Sequence, residues 1–268
     1  MNWLHVQQGD APLLISLPHT GTYLPDEYKT HFVSEWLALK DTDWHIEKLY
    51  SFAKDLDATI VRTDISRSII DVNRDSSGVS LYPGQATTEL CPTTTFDGEA
   101  LYQNHTPDIA KRREAYFDPY HAALGEQIAR LRAKHKTIVV YDCHSIRSLI
   151  PRLFDDLLPH FNIGTNDDQS CDEELTAMIE GVCATSGLTQ VTNGRFKGGY
   201  ITRYYAAPSN GVHCVQMELA CRSYLPEPIG DVGDDNWPVT YDEDFAAPMR
   251  HTLKNILQTC LDFAGEHA

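Results

Sequence analysis

The chain has 268 residues and a formal net charge of −16, from 22 Lys and Arg against 38 Asp and Glu. This length suffices for one large α/β domain with a substantial core. A field this negative repels nucleic acid and anionic membrane surfaces, which need clustered basic side chains, so we expect neither as a partner. A small anionic ligand would have to be bound by a few well-placed arginines.

The cysteines and the amino terminus indicate a cytoplasmic protein. The seven cysteines are an odd number and form no C-x-x-C pair, so they favour neither a disulfide framework nor a thiolate zinc site. The first residues lack a basic segment followed by an apolar one, and no apolar run approaches the ~18 residues of a membrane span. The oligomeric state does not follow from the sequence.

Short apolar runs alternate with amphipathic segments along the chain. In chain order, the patterns predict a strand at 12–19, a helix at 42–56, a strand at 58–64, a helix at 107–134, strands at 137–144 and 161–166, a helix at 171–186, a strand at 211–219 and a helix at 246–263. This alternation predicts a three-layer α/β/α sandwich with a mostly parallel, mixed sheet. No repeat or Pro/Gly/Ser linker divides the chain, so we expect a single domain over residues 1–268.

Three of the predicted strands end in reactive side chains. His19 follows the first strand, the sequence DCHS with His144 ends the third, and Glu218 ends the last. In open α/β sheets the functional crevice lies at the carboxyl ends of the strands. A single histidine in such a place is usually a hydrogen-bonded structural residue, but two histidines and an acid at one edge predict a site.

Two histidines and a carboxylate, with one position left for water, form the ligand set of a catalytic zinc site. His19 and His144 supply the histidines, and we favour Asp43, at the start of the predicted helix 42–56, as the carboxylate. Two alternatives stay open. Either Asp41, Thr42 or Asp43 caps that helix by accepting from its free backbone N–H groups, or His45 is the ligand. We expect Zn²⁺ at this place, with another divalent ion as the alternative.

Other reaction classes are less well supported. Cys143 and His144 are neighbours on a strand and face opposite sides of the sheet, so they do not form a thiol–imidazole pair. Ser145 has no G-x-S-x-G motif around it, and the chain has no G-x-G-x-x-G or Walker motif for a nucleotide. Strand alternation also turns His213 away from Glu218. Metal-assisted hydrolysis is the chemistry that remains.

The sequence ISRSIIDVNRD, residues 65–75, places Arg67, Asn73 and Arg74 just after the second predicted strand. A guanidinium beside a carboxamide is suited to binding a carboxylate through parallel hydrogen bonds. The alternative is that these groups pair with the aspartates nearby, at positions 64, 71 and 75.

Six blocks of the sequence resemble the N-formylglutamate amidohydrolase, or N-formylglutamate deformylase, family: SLPHTGTYLP, DTDWHIEKLY, SRSIIDVNRD, YDCHSIRS, GRFKGGYITRYY and HCVQMELACRSYL. The resemblance runs from about residue 10 to 260. It implies zinc-dependent hydrolysis of N-formyl-L-glutamate to L-glutamate and formate, a step of histidine degradation. It also implies a phosphorylase/hydrolase-like sandwich, similar to zinc carboxypeptidases and aspartoacylases.

The same resemblance assigns roles to single residues. Glu218 matches the general base of this wider group, and the sequence DVNR, with Asn73 and Arg74, resembles the D-x-N-R that holds a substrate carboxylate in aspartoacylase-like enzymes. The carboxypeptidase relatives use H-x-x-E for their first two metal ligands, but no acid follows His19 at that distance. By resemblance to its own family, the missing carboxylate comes from Asp43.

The sequence FKGGYITRYY, residues 196–205, predicts a loop in which Gly198 and Gly199 allow a close backbone approach or a positive φ. Tyr200 and Arg203 would then close over the substrate. Because a glutamate moiety carries two carboxylates, we expect Arg203 to bind one of them. Arg67 and Lys197 are the alternative residues for this role. The alternative is a surface turn before a short strand.

Two other functions stay open. One is a zinc deacylase or carboxypeptidase that acts on another N-acyl amino acid or on a peptide. The other is a non-catalytic binding protein on the same fold.

Overall fold

The structure is a computed structural model that describes residues 2–80 and 84–267. Within these ranges it contains one mixed sheet of seven strands. In chain order the strands are β1 (Leu4–Gln7), β2 (Leu13–Leu17), β3 (Thr59–Thr63), β4 (Ile138–Ile146), β5 (Phe161–Gly164), β6 (Gln190–Thr192) and β7 (Val212–Ala220).

Helices cover both faces of the sheet. They are α1 (Asp26–Lys29), α2 (Glu35–Leu39), α3 (Ile46–Leu49), α4 (Ile109–Arg112), α5 (Asp118–Arg132), α6 (Glu173–Thr185), α7 (Tyr200–Tyr205) and α8 (Glu243–Glu266). A π-helical turn, Arg113–Phe117, joins α4 to α5. Short 3-10 turns lie at Ser51–Leu56, Pro208–Asn210 and Cys221–Ser223.

The strand order is β1-β3-β2-β4-β7-β5-β6. The four central strands β3, β2, β4 and β7 run parallel, while β1 is antiparallel to β3, and β5 is antiparallel to β7 and parallel to β6. The structure therefore confirms the predicted mixed, mostly parallel α/β sandwich. All five predicted strands are present, and the short edge strands β1 and β6 are additional.

The central strands β4 and β7 are buried along their full length, because side chains on alternate positions pack into two different layers. Odd-numbered positions such as Tyr141 and Val215 pack with α3, α6 and α8. Even-numbered positions such as Val140 and Cys214 pack with α5. The register places His144 opposite Glu218, on the second of these faces.

Two predicted elements were wrong in detail. The helix expected at 42–56 begins only at Ile46, because the backbone N–H of Asp43 donates to the carbonyl of His19 and His45 has a left-handed backbone with φ of 63°. The loop expected at 196–205 contains α7, whose Ile201 is fully buried in the core and stabilises the helix there.

No helix in residues 2–80 and 84–267 combines the length and the apolar character that a membrane crossing requires. All seven cysteines are buried, and none forms a disulfide.

Candidate metal centre and active site

The carboxyl edge of the central strands brings three predicted ligands together. His19 lies just after β2, His144 lies in β4, and Asp43 lies in the turn before α3. Each of the three side chains is buried and offers one ligand atom, and these atoms lie within 4.8 Å of one another.

Both histidines direct Nδ1 toward Asp43. The Oδ2 atom of Asp43 lies 3.0 Å from His144 Nδ1 and 3.7 Å from His19 Nδ1. His19 Nδ1 is buried and has no hydrogen-bond partner among the described residues, which is the condition expected of a nitrogen that binds a metal ion. The carboxylate of Asp43 does not cap α3, and His45 contacts the carbonyl of Val239 instead, at 3.0 Å.

A second carboxylate lies behind each histidine. His19 Nε2 is 2.6 Å from Asp71 Oδ1, and His144 Nε2 is 3.0 Å from Asp142 Oδ2. A histidine that donates one N–H to a carboxylate presents the other nitrogen as a lone pair, and metal-binding histidines typically have such a partner. The outer carboxylates thus favour a histidine whose Nδ1, the nitrogen that faces Asp43, can bind a cation in place of a proton.

The charges of the cluster also suit a cation. Burial opposes ionisation of Asp43, but the hydrogen bond to His144 and the nearby ring of His19 outweigh it and lower the pKa of Asp43 to about 2. Burial acts in the same way on Asp71, yet His19 and Arg67 hold the pKa of this carboxyl well below its usual range. Three buried carboxylates, at positions 43, 71 and 142, surround the two histidines. With neutral histidines, they outnumber the guanidinium groups of Arg67 and Arg74 that face them, so the cluster carries negative charge that a cation would balance.

Glu218 lies opposite His144 across the β4–β7 pair. Burial raises the pKa of Glu218 to about 8, against the smaller opposing effect of His144. Gln216 Nε2 donates to Glu218 Oε2 at 3.2 Å, while the Oε1 atom of Gln216 accepts from the backbone N–H of Gly199 at 2.7 Å. The Gly199 N–H therefore fixes which end of the amide faces the carboxylate.

One cavity connects these groups. It is lined by both predicted histidine ligands, by Glu218 and by the predicted substrate residues Arg67, Asn73, Arg74 and Gly199. Its other lining residues are Ala86, Thr87, Thr88, Phe96, Ile146, Leu153, Arg195, Phe196 and Gln216. The arrangement combines a candidate cation site, a buried carboxylate and several guanidinium groups at one opening. These are the parts needed for metal-assisted hydrolysis of an anionic amide.

Comparison with known proteins agrees with this chemistry. The model of the N-formylglutamate amidohydrolase family matches residues 11–225. The chain belongs to this family. The N-formylglutamate deformylase of Pseudomonas putida is 44% identical, and that of Pseudomonas aeruginosa 43%, each over 98% of this chain and 97% of the relative.

Solved structures share the fold of this family member. The crystal structure of an N-formylglutamate amidohydrolase from Ralstonia eutropha superposes with a TM-score of 0.81 at 18% identity and covers all of both chains. A gene product of Agrobacterium tumefaciens gives a TM-score of 0.72 at 18% identity, over 98% of this chain and 96% of the other.

Asn73 connects the ligand cluster to α7. Its Nδ2 donates to Asp142 Oδ2 at 3.0 Å, and its Oδ1 accepts from the backbone N–H of Ile201 at 2.7 Å. A Cβ atom at Gly199 would lie 2.4 Å from Asn73 Nδ2, so this close approach requires glycine. The predicted role of Gly199 in a close backbone contact fits this geometry.

The predicted arginines occupy different surroundings. Arg67 donates to Asp71 Oδ2 at 2.7 Å, and Arg74 donates through Nε to the carbonyl of Thr88 at 3.1 Å while lying 3.8 Å from Asp71. Both line the cavity. Arg67 and Arg74 therefore lie beside Asp71, which was the alternative left open by the sequence, and they also face the cavity.

Tyr200 and Arg203 are not brought to this opening. Neither is among the lining residues of the cavity. Tyr200 stacks on Tyr204 and packs edge-on against His121, and Arg203 Nε donates to the carbonyl of Gly198 at 2.9 Å. Both side chains are held against other parts of α7 and its neighbours.

Sequence reasoning did not assign a role to four residues that the fold brings to the site: Asp71, Asp142, Gln216 and Arg195. A signal existed for the first three, since Asp71 begins the DVNR motif, and strand alternation places Asp142 and Gln216 on the faces of His144 and Glu218. Arg195 lies in an irregular segment, where no periodicity indicates which way a side chain points.

Proposed function

We propose that the protein hydrolyses N-formyl-L-glutamate to L-glutamate and formate. The observation that carries this proposal is the single cavity in which the histidine pair, Glu218 and three arginines meet. The name of the Pseudomonas deformylases, which are 43–44% identical over nearly the full length of this chain, supports the choice of substrate. The cavity is therefore assigned to an N-formyl amino acid that carries two carboxylates.

His19 Nδ1, His144 Nδ1 and Asp43 would hold the metal ion, with Zn²⁺ as first choice and another divalent ion as the alternative. The unpartnered nitrogen of His19, the outer carboxylates and the low pKa of Asp43 all support a cation at this place. When bound in a site of this type, zinc supplies Lewis-acid polarisation of water and of an amide carbonyl.

Glu218 is the proposed general base. Its carboxylate accepts a proton from the water that attacks the formyl carbon and returns that proton to the departing α-amine, so the cleaved C–N bond leaves a neutral amine. The N–H of Gln216 directed at Oε2 orients the carboxylate for this transfer. Burial raises the pKa of Glu218, which strengthens it as a proton acceptor, and a nearby cation would bring that pKa back down.

The arginines bind and stabilise negative charge. Arg67, 3.4 Å from Asp43 Oδ1, is close enough to the ligand cluster to stabilise charge that develops on the formyl oxygen. Arg74 and Asn73 would hold a substrate carboxylate, as the DVNR resemblance implies. A closing role for Tyr200 and Arg203 requires their side chains to turn toward the cavity, and it stays a prediction.

We further propose that residues 1–268 form one hydrolase domain that acts in the cytoplasm on a small molecule and not on nucleic acid or membranes. Seven buried cysteines without a disulfide and the net charge of −16 support this location and partner class.

The test is turnover of N-formyl-L-glutamate by the metal-loaded protein, measured as formate release, with elemental analysis of the same sample. We expect turnover that a chelator abolishes and that Zn²⁺ restores. Faster turnover of N-acetyl-L-aspartate or a dipeptide would indicate another deacylase or a carboxypeptidase. Metal-free protein that binds but does not cleave the substrate under non-chelating conditions would indicate a binding protein.

A further inference from the structure

Arg195 is a cavity-lining arginine that neither the sequence patterns nor the proposed mechanism uses. Its Nε donates to the carbonyl of Leu153 at 3.0 Å, and its Nη2 donates to the carbonyl of Ala86 at 2.6 Å. Its guanidinium carbon lies 5.4 Å from the centre of the Phe196 ring. Two backbone carbonyls and an aromatic ring therefore orient this guanidinium.

The other two arginines of the cavity belong to the ligand cluster. Arg67 and Arg74 lie 2.7 Å and 3.8 Å from Asp71 Oδ2, and Asp71 itself contacts the ligand His19. Arg195 is held by the carbonyls of Leu153 and Ala86, in segments that supply cavity wall but no member of that cluster. Arg74 contacts the same wall through Thr88 but also lies beside Asp71. The cavity thus has guanidinium groups in two distinct settings.

The two carboxylates of an N-formylglutamate substrate also lie at two different distances from the formyl group. In an N-formyl amino acid the α-carboxylate is attached to the carbon next to the amide nitrogen, whereas the side-chain carboxylate of glutamate lies two methylene groups farther away. With the formyl carbon at the ligand cluster, the α-carboxylate stays close to the arginines beside Asp71. The cavity also contains apolar side chains suited to the methylene groups, from Ile146, Leu153 and Phe196.

We infer that Arg195 binds the side-chain carboxylate and so selects glutamate over neutral N-formyl amino acids. The inference rests on the proposed function, because it assumes that the formyl group is cleaved at the ligand cluster. A guanidinium binds a carboxylate through two parallel N–H donors, whereas a neutral side chain offers it no carboxylate for this paired contact.

The experiment compares Arg195→Met and Arg195→Lys with the unchanged protein on N-formyl-L-glutamate and N-formyl-L-glutamine. The two substrates have the same length but differ in the charge at the side-chain end. We expect kcat/KM for N-formyl-L-glutamate to fall by about 10- to 150-fold in Arg195→Met, mainly through KM, from the loss of a charged hydrogen bond. For N-formyl-L-glutamine we expect a change below about threefold, since binding without that charge does not use the guanidinium.

A matched control is Arg152→Met. Arg152 also donates to backbone carbonyls, those of Thr95 and Phe96 at 3.4 and 3.3 Å, but it is not among the cavity-lining residues. This variant should leave both substrates unaffected. Arg195→Lys should lose less than Arg195→Met on N-formyl-L-glutamate, because the charge is kept and only the fork is lost.

Turnover of N-formyl-L-glutamine shows that each variant is folded and metal-loaded. Equal losses on both substrates, no loss on N-formyl-L-glutamate, or a fall in kcat with KM unchanged would each overturn the role of Arg195. If the unchanged metal-loaded protein does not cleave N-formyl-L-glutamate, the proposed function itself fails, and this result is obtained before any variant is measured.

Discussion

Replacing Asp71 with asparagine tests the outer carboxylates of the cluster. Asp71 is fully buried and accepts three hydrogen bonds, from His19 Nε2 at 2.6 Å, from Arg67 Nη2 at 2.7 Å and from the backbone N–H of Asn73 at 2.9 Å. Asparagine keeps the shape of the side chain but has only one oxygen. In Asp71→Asn, either His19 or Arg67 must therefore face an amide N–H instead of an acceptor.

The size of the effect follows from these contacts. If the amide oxygen stays with His19, the buried Arg67 loses its main partner, and breaking such a pair costs about 3–5 kcal/mol of unfolding free energy. Because Arg67 keeps its contact with Asp43, at 3.4 Å, we expect a loss of about 3 kcal/mol of unfolding free energy, at the lower end of this range. Loss of the outer carboxylate should also weaken metal binding by about 10- to 100-fold.

Asp142→Asn is the matched control. The Oδ2 atom of Asp142 accepts from His144 Nε2 and from Asn73 Nδ2, both at 3.0 Å, and no arginine ion pair involves Asp142 among the residues that the structure describes. We expect a similar loss of metal affinity but a loss of only about 1–3 kcal/mol of stability. Urea unfolding of the metal-free variants and competition with a chelator measure the two quantities. Metal affinity within twofold of the original in both variants would show that the outer carboxylates do not position the ligands.

Three further predictions concern the inner groups. His144→Ala should lose most of its bound zinc and its activity. Asp43→Asn should bind zinc more weakly, because an amide is a poorer ligand than a carboxylate. Stoichiometric zinc with unchanged affinity in either variant would remove that residue from the ligand set. Glu218→Gln should keep its zinc while kcat falls by roughly 100-fold or more. It should also lose the acid limb of the pH–rate profile, since a base is inactive once the pH falls below its pKa. A kcat close to that of the unchanged protein would exclude Glu218 as the base. Arg74→Lys should reduce kcat/KM for N-formyl-L-glutamate by roughly 10- to 150-fold, mainly through KM, with zinc content unchanged, and an unaltered KM would refute carboxylate binding by Arg74.

The long strands and helices were predictable because their buried faces produce a clear hydrophobic periodicity in the sequence. The long apolar runs that became β4 and β7 could be recognised as strands, and the stripes that became α5, α6 and α8 as helices. The edge strands β1 and β6 are three or four residues long and only partly buried, so they show no such pattern. The break at His45 was missed because it depends on a backbone contact between Asp43 and His19, which are distant in sequence.

The part of the candidate site that lies at the ends of strands was predictable. His19, His144 and Glu218 follow from the rule that strand carboxyl ends form the crevice, and Asp43 was found only as one of several options. Arg195 and the wall that anchors it come from irregular segments, whose placement depends on tertiary contacts and not on any local period. Alternation indicated the face on which Gln216 lies, but the direction of its amide depends on the N–H of Gly199.

The register of β4 against β7 has a consequence for the way amide protons exchange with solvent. His144 and Glu218 face each other in two nine-residue strands that are buried throughout and lie in the middle of the sheet. Backbone amides in such a place exchange only when the whole domain opens, whereas those in frayed edges and loops exchange through local opening. Exchange at these two positions should therefore measure the free energy of global unfolding. The spacing between His144 and Glu218 should persist through every smaller fluctuation of the protein.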